Sequence, residues 1–287
     1  MNASDAERIL IRECGRMAPL FDRYSVTSSK AVWDTLRPFL PSLSEQRVLD
    51  LGCGPGAHAV RLASVVGDSG SVVGVDAARG MVEFARQRRG ATVRKNVRFE
   101  QMDNRNLQFH DRSFDFVLST FGLASRARER AVREAFRVLD NGGQFLCVSW
   151  GKANPEGRAF VDALNGLRRE SPPPADVLKL SRARQLIADL PENRPGRDRH
   201  PLLTQLRKAG FDAVRVRRKN LTVHFSSITA YVHYKSAWGE YHRDLQRLTR
   251  AERRRFAVGI ARRLGWRPNA SGHDVTWELS FISARKR

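Results

Sequence analysis

A short apolar segment that runs into three closely spaced glycines is the feature that most constrains the fold of this chain. Residues 48–56 read V-L-D-L-G-C-G-P-G, and the residues up to 66 place apolar side chains at helical spacing. Glycine permits a tight turn and lets the backbone approach a ligand, and a helix N-terminus offers free N–H groups to that ligand. The pattern predicts a buried strand, a ligand-binding turn and a helix, in that order.

Further apolar segments continue this alternation of strand and helix. We predict strands at residues 47–51, 71–76, 97–102, 114–119 and 144–150. We predict helices at residues 56–66, around Met81 and Phe84, and at residues 127–139, where Asn141-Gly142-Gly143 signals a turn. Strands that alternate with helices form βαβ units with a parallel sheet and right-handed crossovers. The fold class is therefore α/β.

The pattern changes after Trp150. Residues 151–199 are rich in proline and charge, with breaks at residues 171–174 and 191–195. Beyond them we predict a helix at residues 202–209, a strand at 213–217, a largely helical stretch at 221–272 and a long strand at 275–284.

Basic residues outnumber acidic ones, and the excess is uneven. The 287 residues include 51 Lys and Arg against 30 Asp and Glu, a formal net charge of +21. Residues 1–150 hold 22 basic and 17 acidic residues (+5), and residues 151–287 hold 29 and 13 (+16). Nucleic acid, an anionic membrane surface or an acidic partner would account for the excess, and so would arginine-rich codon usage on a solvated face.

Cysteine content and hydropathy argue against several classes of protein. Cys14, Cys53 and Cys147 are too few and too scattered for a disulfide framework or a cysteine-rich zinc site, so we expect no metal. No apolar run approaches the ~20 residues of a membrane span. The first residues do not resemble a signal peptide, and we expect a cytoplasmic protein.

Acidic residues lie at the ends of three successive predicted strands, at Asp50, Asp76 and Asp103. Residues 52–57 satisfy the G-x-G-x-x-A form of the dinucleotide fingerprint, so a nicotinamide or flavin cofactor has to be weighed. Asp50, however, would repel a pyrophosphate and attract an ammonium group, and Asp76 can accept hydrogen bonds from both ribose hydroxyls. A ligand with an amine, a ribose and an adenine amino group, but no phosphates, fits these acids better.

At these residues the chain resembles the class I S-adenosylmethionine (SAM) dependent methyltransferases. The matching stretches are residues 48–56 and 72–76, Asp103, residues 113–117, and residues 137–143, where Asn141 replaces the proline of the usual R-V-L-x-P-G-G turn. The resemblance covers about residues 47–151. It points to the ubiquinone/menaquinone-biosynthesis-like methyltransferases, which act on small molecules.

The resemblance implies a Rossmann-like α/β fold with a seven-stranded, mostly parallel sheet, helices on both faces and helical cap insertions. It implies a single domain over residues 1–287. The SAM-binding core would comprise about residues 45–151, 200–220 and 273–287, and the cap and substrate segments about residues 1–44, 152–199 and 221–272.

The resemblance also implies SAM as the methyl donor and S-adenosylhomocysteine (SAH) as its product. Gly52, Gly54 and Gly56 would line the donor, with Asp50 at its methionine end and Asp76 at its ribose. From its position directly after the glycine loop, His58 could contact the carboxylate side of the donor. The other implied contacts are Ala77 and Met81 beside the adenine, Asp103 and Asn104 at its amino group, and Ser119 and Phe121 near the methyl group.

Aromatic residues of the predicted cap recur at helical spacing. Tyr231, Tyr234, Trp238, Tyr241, Leu245 and Leu248 form one stripe of a single predicted helix. Either the stripe binds substrate, through Tyr231, Tyr234 and Trp238, or it packs in the core. His233 and His242, placed in the same helix, are candidate bases or packing residues. By the resemblance, Tyr24 is a lid residue that contacts substrate.

Three functions remain open at this stage. The first is methyl transfer to an oxygen or carbon of a small molecule, which is anionic or aromatic or attached to a carrier. The second is RNA methylation through the basic C-terminal half, although no RNA-binding module is evident. The third is a non-catalytic SAM-binding scaffold. Residues 119–122, S-T-F-G, lack the Asn/Asp-Pro-Pro-aromatic motif of amino methyltransferases, and no Pro-Cys motif supports cytosine chemistry. A homo-oligomer is left open.

Overall fold

Seven strands form one sheet in the computed structural model, which describes residues 1–92, 95–123, 128–151, 155–170, 172–190, 201–237, 240–267 and 271–287. The strands are β1 (Arg47–Leu51), β2 (Ser71–Asp76), β3 (Val97–Gln101), β4 (Phe114–Thr120), β5 (Leu139–Trp150), β6 (Asp212–Phe225) and β7 (His273–Arg285). Their order in space is β3-β2-β1-β4-β5-β7-β6. Strands β1 to β5 are parallel, and β7 is antiparallel to both β5 and β6. This arrangement confirms the predicted mostly parallel α/β sheet.

Helices cover both faces of the sheet. They are α1 (Ala3–Leu36), α2 (Ala57–Val66), α3 (Arg79–Thr92), α4 (Arg128–Val138), α5 (Pro155–Glu170), α6 (Ala175–Ala188), α7 (Pro201–Lys208), α8 (Ile228–Ser236), α9 (Glu240–Gln246) and α10 (Arg250–Arg263). Successive strand residues face opposite sides. Val48 of β1 therefore packs in the cluster that includes α2, α3 and α5, whereas Leu49 packs in the cluster that includes α4 and α7.

Helix α1 lies in a segment, before residue 45, for which the sequence analysis predicts no element. It has 34 residues, and the Asn2 side chain caps its start by accepting from the Asp5 N–H at 2.9 Å. Gly15 of α1 and Gly80 of α3 lie so close that a Cβ on Gly80 would collide with the Gly15 backbone. None of the described helices is both long and apolar enough to cross a membrane.

Strand β6 differs from the prediction in length. It continues to Phe225, so the first residues of the stretch predicted to be helical, 221–225, belong to the sheet. Leu221, Val223 and Phe225 are buried while Thr222 and His224 are exposed, the alternation that a strand with one covered face requires. The strand therefore ends at Phe225 rather than at residue 217, where the sequence analysis predicts its end.

Part of the basic excess lies on this same strand. Strand β6 is at the edge of the sheet, and its exposed residues include Arg215, Arg217, Arg218 and Lys219. Charged side chains on an edge strand oppose pairing with the edge of another sheet. This placement gives part of the +16 of the second half a structural reason.

The predicted aromatic stripe is divided between two helices. Tyr231 and Tyr234 belong to α8, and Tyr241 and Leu245 belong to α9. The prediction of one helix, with His233 and His242 both on it, was wrong, because spacings of three and four residues continue in sequence from one helix to the next. Trp238 lies outside the described residues.

Residues 141–143, which the sequence analysis predicts to form a turn after a helix, lie within a strand in the structure. Strand β5 begins at Leu139, directly after α4, and includes these residues. Gly142 has φ +79°, and the pairing of β4 with β5 is irregular between Phe114 and Phe116. The glycines thus bend the start of a strand.

Candidate active site

A cavity of about 480 Å³ lies at the carboxyl ends of the central strands. Its lining includes Asp50 of β1, Asp76 of β2 and Thr120 of β4, together with residues of α1, α2, α8, β6 and β7. Ligands of open α/β sheets bind at this edge of the sheet, and the volume is that of a small-molecule site.

The glycine loop forms one wall of the cavity. Gly52 has φ +78°, and a Cβ there would lie 2.5 Å from the Cα of Gly122, so only glycine lets β1 and the end of β4 approach this closely. Gly56, with φ +80°, packs instead against Phe99, whose ring would lie 2.7 Å from a Cβ. Gly52 and Gly54 line the cavity; Gly56 is not among its lining residues.

Asp76 is held by the backbone of its surroundings. Its carboxylate accepts hydrogen bonds from the N–H of Gly54 and of Ala78, each at 2.9 Å. Burial raises the pKa of Asp76 above its ordinary value, although these two hydrogen bonds oppose the shift. Each carboxylate oxygen retains capacity to accept another hydrogen bond, so the side chain can bind two neighbouring hydroxyls.

Asp50 is a buried carboxyl with unused hydrogen-bonding capacity. Its side chain accepts a hydrogen bond from the Ala59 backbone, and burial, followed by the charge of Asp76, raises its pKa to about 7. Its Oδ2 has no hydrogen-bond partner among the described residues. A ligand cation beside Asp50 would stabilise the ionised carboxylate.

Unpartnered buried polar atoms concentrate in this cavity. Asp50 Oδ2, His58 Nε2, Asn104 Oδ1 and Thr120 Oγ1 are buried without a hydrogen-bond partner among the described residues, and all four residues line the cavity. A buried polar atom without a partner costs free energy, and a bound ligand can remove that cost. The concentration of such atoms identifies the cavity as a site for a polar ligand.

The polar end of the cavity is the end that holds Asp50, Asp76 and Asp103. An ion-pair network forms part of its wall. Arg105 contacts Asp103 through two nitrogens at 2.8 and 2.6 Å, and Glu7 of α1 at 2.9 Å. Burial would raise the pKa of Asp103, but the hydrogen bonds and charge of Arg105 outweigh it and lower the pKa. The network attaches the N-terminal part of α1 to the loop after β3.

The opposite end of the cavity is aromatic and apolar. Phe121 stacks on Trp150 with ring centroids 4.3 Å apart, and Trp150 lies edge-on to Trp277 at 6.2 Å. Val32, Leu221 and Tyr234 complete this end. Burial raises the pKa of Tyr234 to about 12 against an opposing hydrogen bond with Ser28, so its phenol is neutral at physiological pH.

Comparisons with known proteins agree with this geometry. The model of a family described as "Methyltransferase domain" matches residues 48–143. The ubiquinone/menaquinone biosynthesis C-methyltransferase UbiE of Pseudomonas entomophila is 32% identical over 177 residues, which are 60% of this chain and 67% of that protein. The chain belongs to the class I SAM-dependent methyltransferases.

Other relatives of this methyltransferase match over shorter stretches. The demethylmenaquinone methyltransferase of Lactococcus lactis is 37% identical over 102 residues, 35% of this chain and 40% of that protein. The uncharacterized methyltransferase YcgJ of Bacillus subtilis is 38% identical over 130 residues, 45% and 50% of the two chains. The methyltransferase therefore spans about half the length, or less, of these curated relatives.

Solved structures share the fold. The crystal structure of YcgJ from Bacillus subtilis has a TM-score of 0.52 at 21% identity and covers 90% of this chain and 99% of that one. A SAM-dependent methyltransferase of Thermotoga maritima, titled as a possible histamine N-methyltransferase, has a TM-score of 0.53 at 18% identity and covers 97% and 100%.

The structure brings most of the predicted donor contacts of this methyltransferase together. The cavity is lined by Asp50, Gly52, Gly54, Asp76, Ala77, Met81, Asp103 and Asn104. Ser119 is not among the lining residues, because its buried hydroxyl donates to the Leu51 carbonyl at 2.8 Å. The next residue, Thr120, lines the cavity in its place, as alternation along a strand requires.

Some of the predicted substrate residues line the cavity and others do not. Phe121 and Tyr234 line the cavity, whereas Tyr231 is buried against Phe160 and Phe225, the core packing that was the alternative for the aromatic stripe. Tyr24 does not line the cavity, and its ring lies 5.0 Å from that of His233.

Neither candidate base is brought to the cavity. His233 on α8 and His242 on α9 are not among the lining residues, and burial lowers the pKa of both. Of the described residues that line the cavity, one is a histidine, His58.

Sequence reasoning assigned residues 1–44 to the cap but did not identify the face of helix α1 that forms one wall of the cavity. The lining residues of α1 are Glu7, Leu10, Ile11, Cys14, Phe21, Asp22, Ser25, Ser28, Ser29 and Val32. The last four follow the spacing i, i+3, i+4, i+7, which marks one helix face. That spacing was the available signal, although small polar residues at it do not by themselves indicate a cavity.

Among the described residues, no group of three or more His, Cys, Asp or Glu side chains could hold a metal ion. The polar atoms of the cavity suit an organic ligand with hydroxyl and amino groups. They fit SAM, which is the methyl donor of this family.

Proposed function

We propose that this enzyme transfers the methyl group of SAM to a ring carbon of a small, flat, hydroxylated acceptor. The observation that carries the proposal is a single cavity with acidic residues at one end, stacked aromatic side chains at the other and unpartnered polar atoms in its lining. Methyl transfer requires a donor site that opens directly into an acceptor site.

At the polar end, each acid has a part of SAM that it suits. Asp76 would accept hydrogen bonds from the ribose hydroxyls, and Asp50 would stabilise the methionine ammonium. Ala77 and Met81 would lie against the adenine, with Asn104 and the Asp103–Arg105 pair near its amino group. The unpartnered Asn104 Oδ1 is free to accept a hydrogen bond from that amino group.

At the apolar end, the geometry favours an aromatic acceptor. Phe121 and Trp150 stack with an interplanar angle of 16°, and Trp277 meets Trp150 at 62°. Aromatic side chains bind flat rings by offset stacking and edge-to-face contact.

The side chains at this end favour an acceptor that is reactive without a strong base. The Tyr234 phenol is neutral, and the pKa of His58 is lowered to about 4, so its imidazole is a weak base. An acidic phenol or enol ionises readily, and the enzyme then needs only to align it with the sulfonium methyl. As the carbon–sulfur bond breaks, a ring carbon gains the methyl group and later loses its proton to water. The names of the C-methyltransferase relatives support carbon as the methylated atom.

Thermal shift with SAH tests the donor site. SAH should raise the melting temperature of the wild type, because a ligand that binds only the native state stabilises it. Asp76→Ala should abolish the shift, and Asp68→Ala, an exposed acid outside the cavity, should preserve it. No shift in the wild type would contradict the proposal.

Activity with methyl-labelled SAM tests the acceptor class. Hydroxylated naphthalenes and benzenes should become labelled, and NMR of the product should place the methyl group on carbon. Labelling of oxygen would correct the methylated atom. Label in total RNA, with none in the aromatic compounds, would overturn the proposal in favour of the RNA alternative.

A further inference from the structure

Helix α2 adds a cation to the cavity wall near the acceptor end. Arg61 lies one turn after His58, and both line the cavity. The Arg61 guanidinium donates to Ser29 Oγ at 3.2 Å and lies 6.0 Å from the centre of the Trp33 ring. Helix α1 thus holds the guanidinium in place without neutralising it.

The other arginines of the cavity differ from Arg61 in their partners. Among the described residues that line the cavity, three are arginines. Arg88 is paired with Asp22, and Arg105 is paired with Glu7 and Asp103. Arg61 forms no ion pair with any described residue; burial lowers its pKa, and the charge of Asp34 only partly opposes the shift. A half-buried cation of this kind is stabilised by an anion that a ligand supplies.

The position of Arg61 points to the acceptor rather than to SAM. Ser28 and Ser29 are neighbours on α1; Ser28 forms a hydrogen bond with Tyr234, and Ser29 accepts one from Arg61. Tyr234 belongs to the aromatic end of the cavity. The carboxylates Asp76 and Asp103 belong to the opposite end.

A second polar group with unused hydrogen-bonding capacity lies beside Arg61. The His58 ring stacks on Trp33 with centroids 6.0 Å apart, and its Nε2 is buried without a hydrogen-bond partner among the described residues. The other ring nitrogen donates to the Ser29 backbone carbonyl, so in the neutral imidazole Nε2 is an acceptor that can bind a hydroxyl group of the same ligand. Trp33, His58 and Arg61 together form an anchored site with one charge and one unused polar atom.

We propose that Arg61 binds a carboxylate of the acceptor, so that the enzyme selects aromatic acids over their neutral analogues. The planar guanidinium matches a carboxylate in shape, and a charge-assisted hydrogen bond in a half-buried site is strong. The inference rests on the proposed function, since it assigns the substrate class of the same cavity.

Two isosteric probes test this selection. Binding of 2-naphthoate and of 2-naphthamide is measured by calorimetry on the full chain saturated with SAH. The wild type should bind the carboxylate about tenfold more tightly than the amide. Arg61→Met should remove that preference, and Arg61→Lys should retain part of it. Arg98→Met, at an exposed arginine of β3, should behave like the wild type.

The outcomes separate this inference from the proposed function. Failure of the wild type to bind SAH would contradict the proposed function itself. If SAH binds but the wild type does not prefer the naphthoate, absent binding of both probes included, the inference is overturned and the donor site stands. Loss of SAH affinity in Arg61→Met, beyond that in Arg98→Met, would assign Arg61 to the carboxylate of SAM and would also overturn it.

Discussion

The Ser119 hydroxyl donates a hydrogen bond to the Leu51 carbonyl at 2.8 Å and joins β4 to β1 where both strands reach the cavity. Its neighbour Thr120 has a buried hydroxyl with no partner among the described residues. Two adjacent hydroxyl residues thus have different roles. Ser119 supports the sheet, and Thr120 is available to a ligand.

Substitution of these two residues should separate stability from binding. Ser119→Ala should lower the free energy of unfolding by about 1 kcal/mol and leave SAH affinity unchanged, because it removes an internal hydrogen bond. Thr120→Val should leave the unfolding free energy nearly unchanged and weaken SAH binding about fivefold. Urea unfolding and calorimetry measure the two effects, and the opposite assignment would show that Ser119 is the ligand contact.

The close approach of Gly15 and Gly80 should make α1 sensitive to a single methyl group. Gly80→Ala should lower the unfolding free energy by about 1–3 kcal/mol, because the added Cβ meets backbone atoms that cannot move independently. Gly259→Ala is the matched control: that helical glycine has no atom within 4 Å of a Cβ, so alanine there should stabilise the protein by up to about 1 kcal/mol. Equal effects of the two substitutions in urea unfolding would contradict this close packing.

The ion pair between Arg88 and Asp22 should hold α1 against the glycine loop. Arg88 also donates to the Pro55 carbonyl at 3.0 Å. Asp22→Asn should make α1 more accessible to limited proteolysis in the absence of SAH, and saturating SAH should reduce the difference. Glu83→Gln, which removes the exposed pair with Arg79, serves as the control and should change little, since exposed pairs contribute 0–1 kcal/mol. A protease-resistant Asp22→Asn variant would argue against this attachment.

The raised pKa of Asp50, about 7, predicts that SAM binding releases protons below neutral pH. In the unliganded fold Asp50 is largely protonated at pH 6, whereas the methionine ammonium favours its ionised form. SAM affinity should therefore rise with pH up to about 7. Calorimetry at pH 6 in buffers of different ionisation enthalpy measures the release. Asp50→Asn should abolish it, and equal release in wild type and variant would assign the proton to another group.

The lowered pKa of His58, about 4, predicts that the folded state loses stability in mildly acidic solution. As pH falls from about 6.5 toward 4, the unfolded chain takes up a proton at this residue before the folded chain does, so the folded state loses stability. His58→Gln should reduce the loss in urea midpoint between pH 7 and pH 5. His110→Gln, at an exposed histidine, is the control. An unchanged pH dependence in His58→Gln would show that the imidazole is not buried as described.

The donor half of the site was predictable because its signals are local in sequence. Val48 and Leu49 point to opposite faces of one strand, and Asp50 and Asp76 lie at the ends of strands that each lead into a helix. Strand, turn and helix patterns of this kind are set by neighbouring residues. The family motifs lie on the same segments, which is why most predicted donor contacts line the cavity.

The acceptor half was less predictable because it depends on packing between distant segments. Tyr231 and Tyr234 are three residues apart on α8, yet one is enclosed by Phe160 and Phe225 and the other reaches the cavity. His233 has a side chain that can act as a base, but it does not line the cavity. The wall formed by α1 needs tertiary contacts, such as the Arg105–Glu7 pair, that no local pattern encodes.

Helix α1 borders the whole cavity, with Glu7 contacting Arg105 at one end and Ser29 contacting Arg61 at the other. A ligand that orders this helix at one end of the cavity also orders the wall that the other ligand contacts. Donor and acceptor should therefore bind with positive cooperativity, and linkage makes that cooperativity reciprocal: the acceptor must strengthen SAM binding by the same factor by which SAM strengthens acceptor binding.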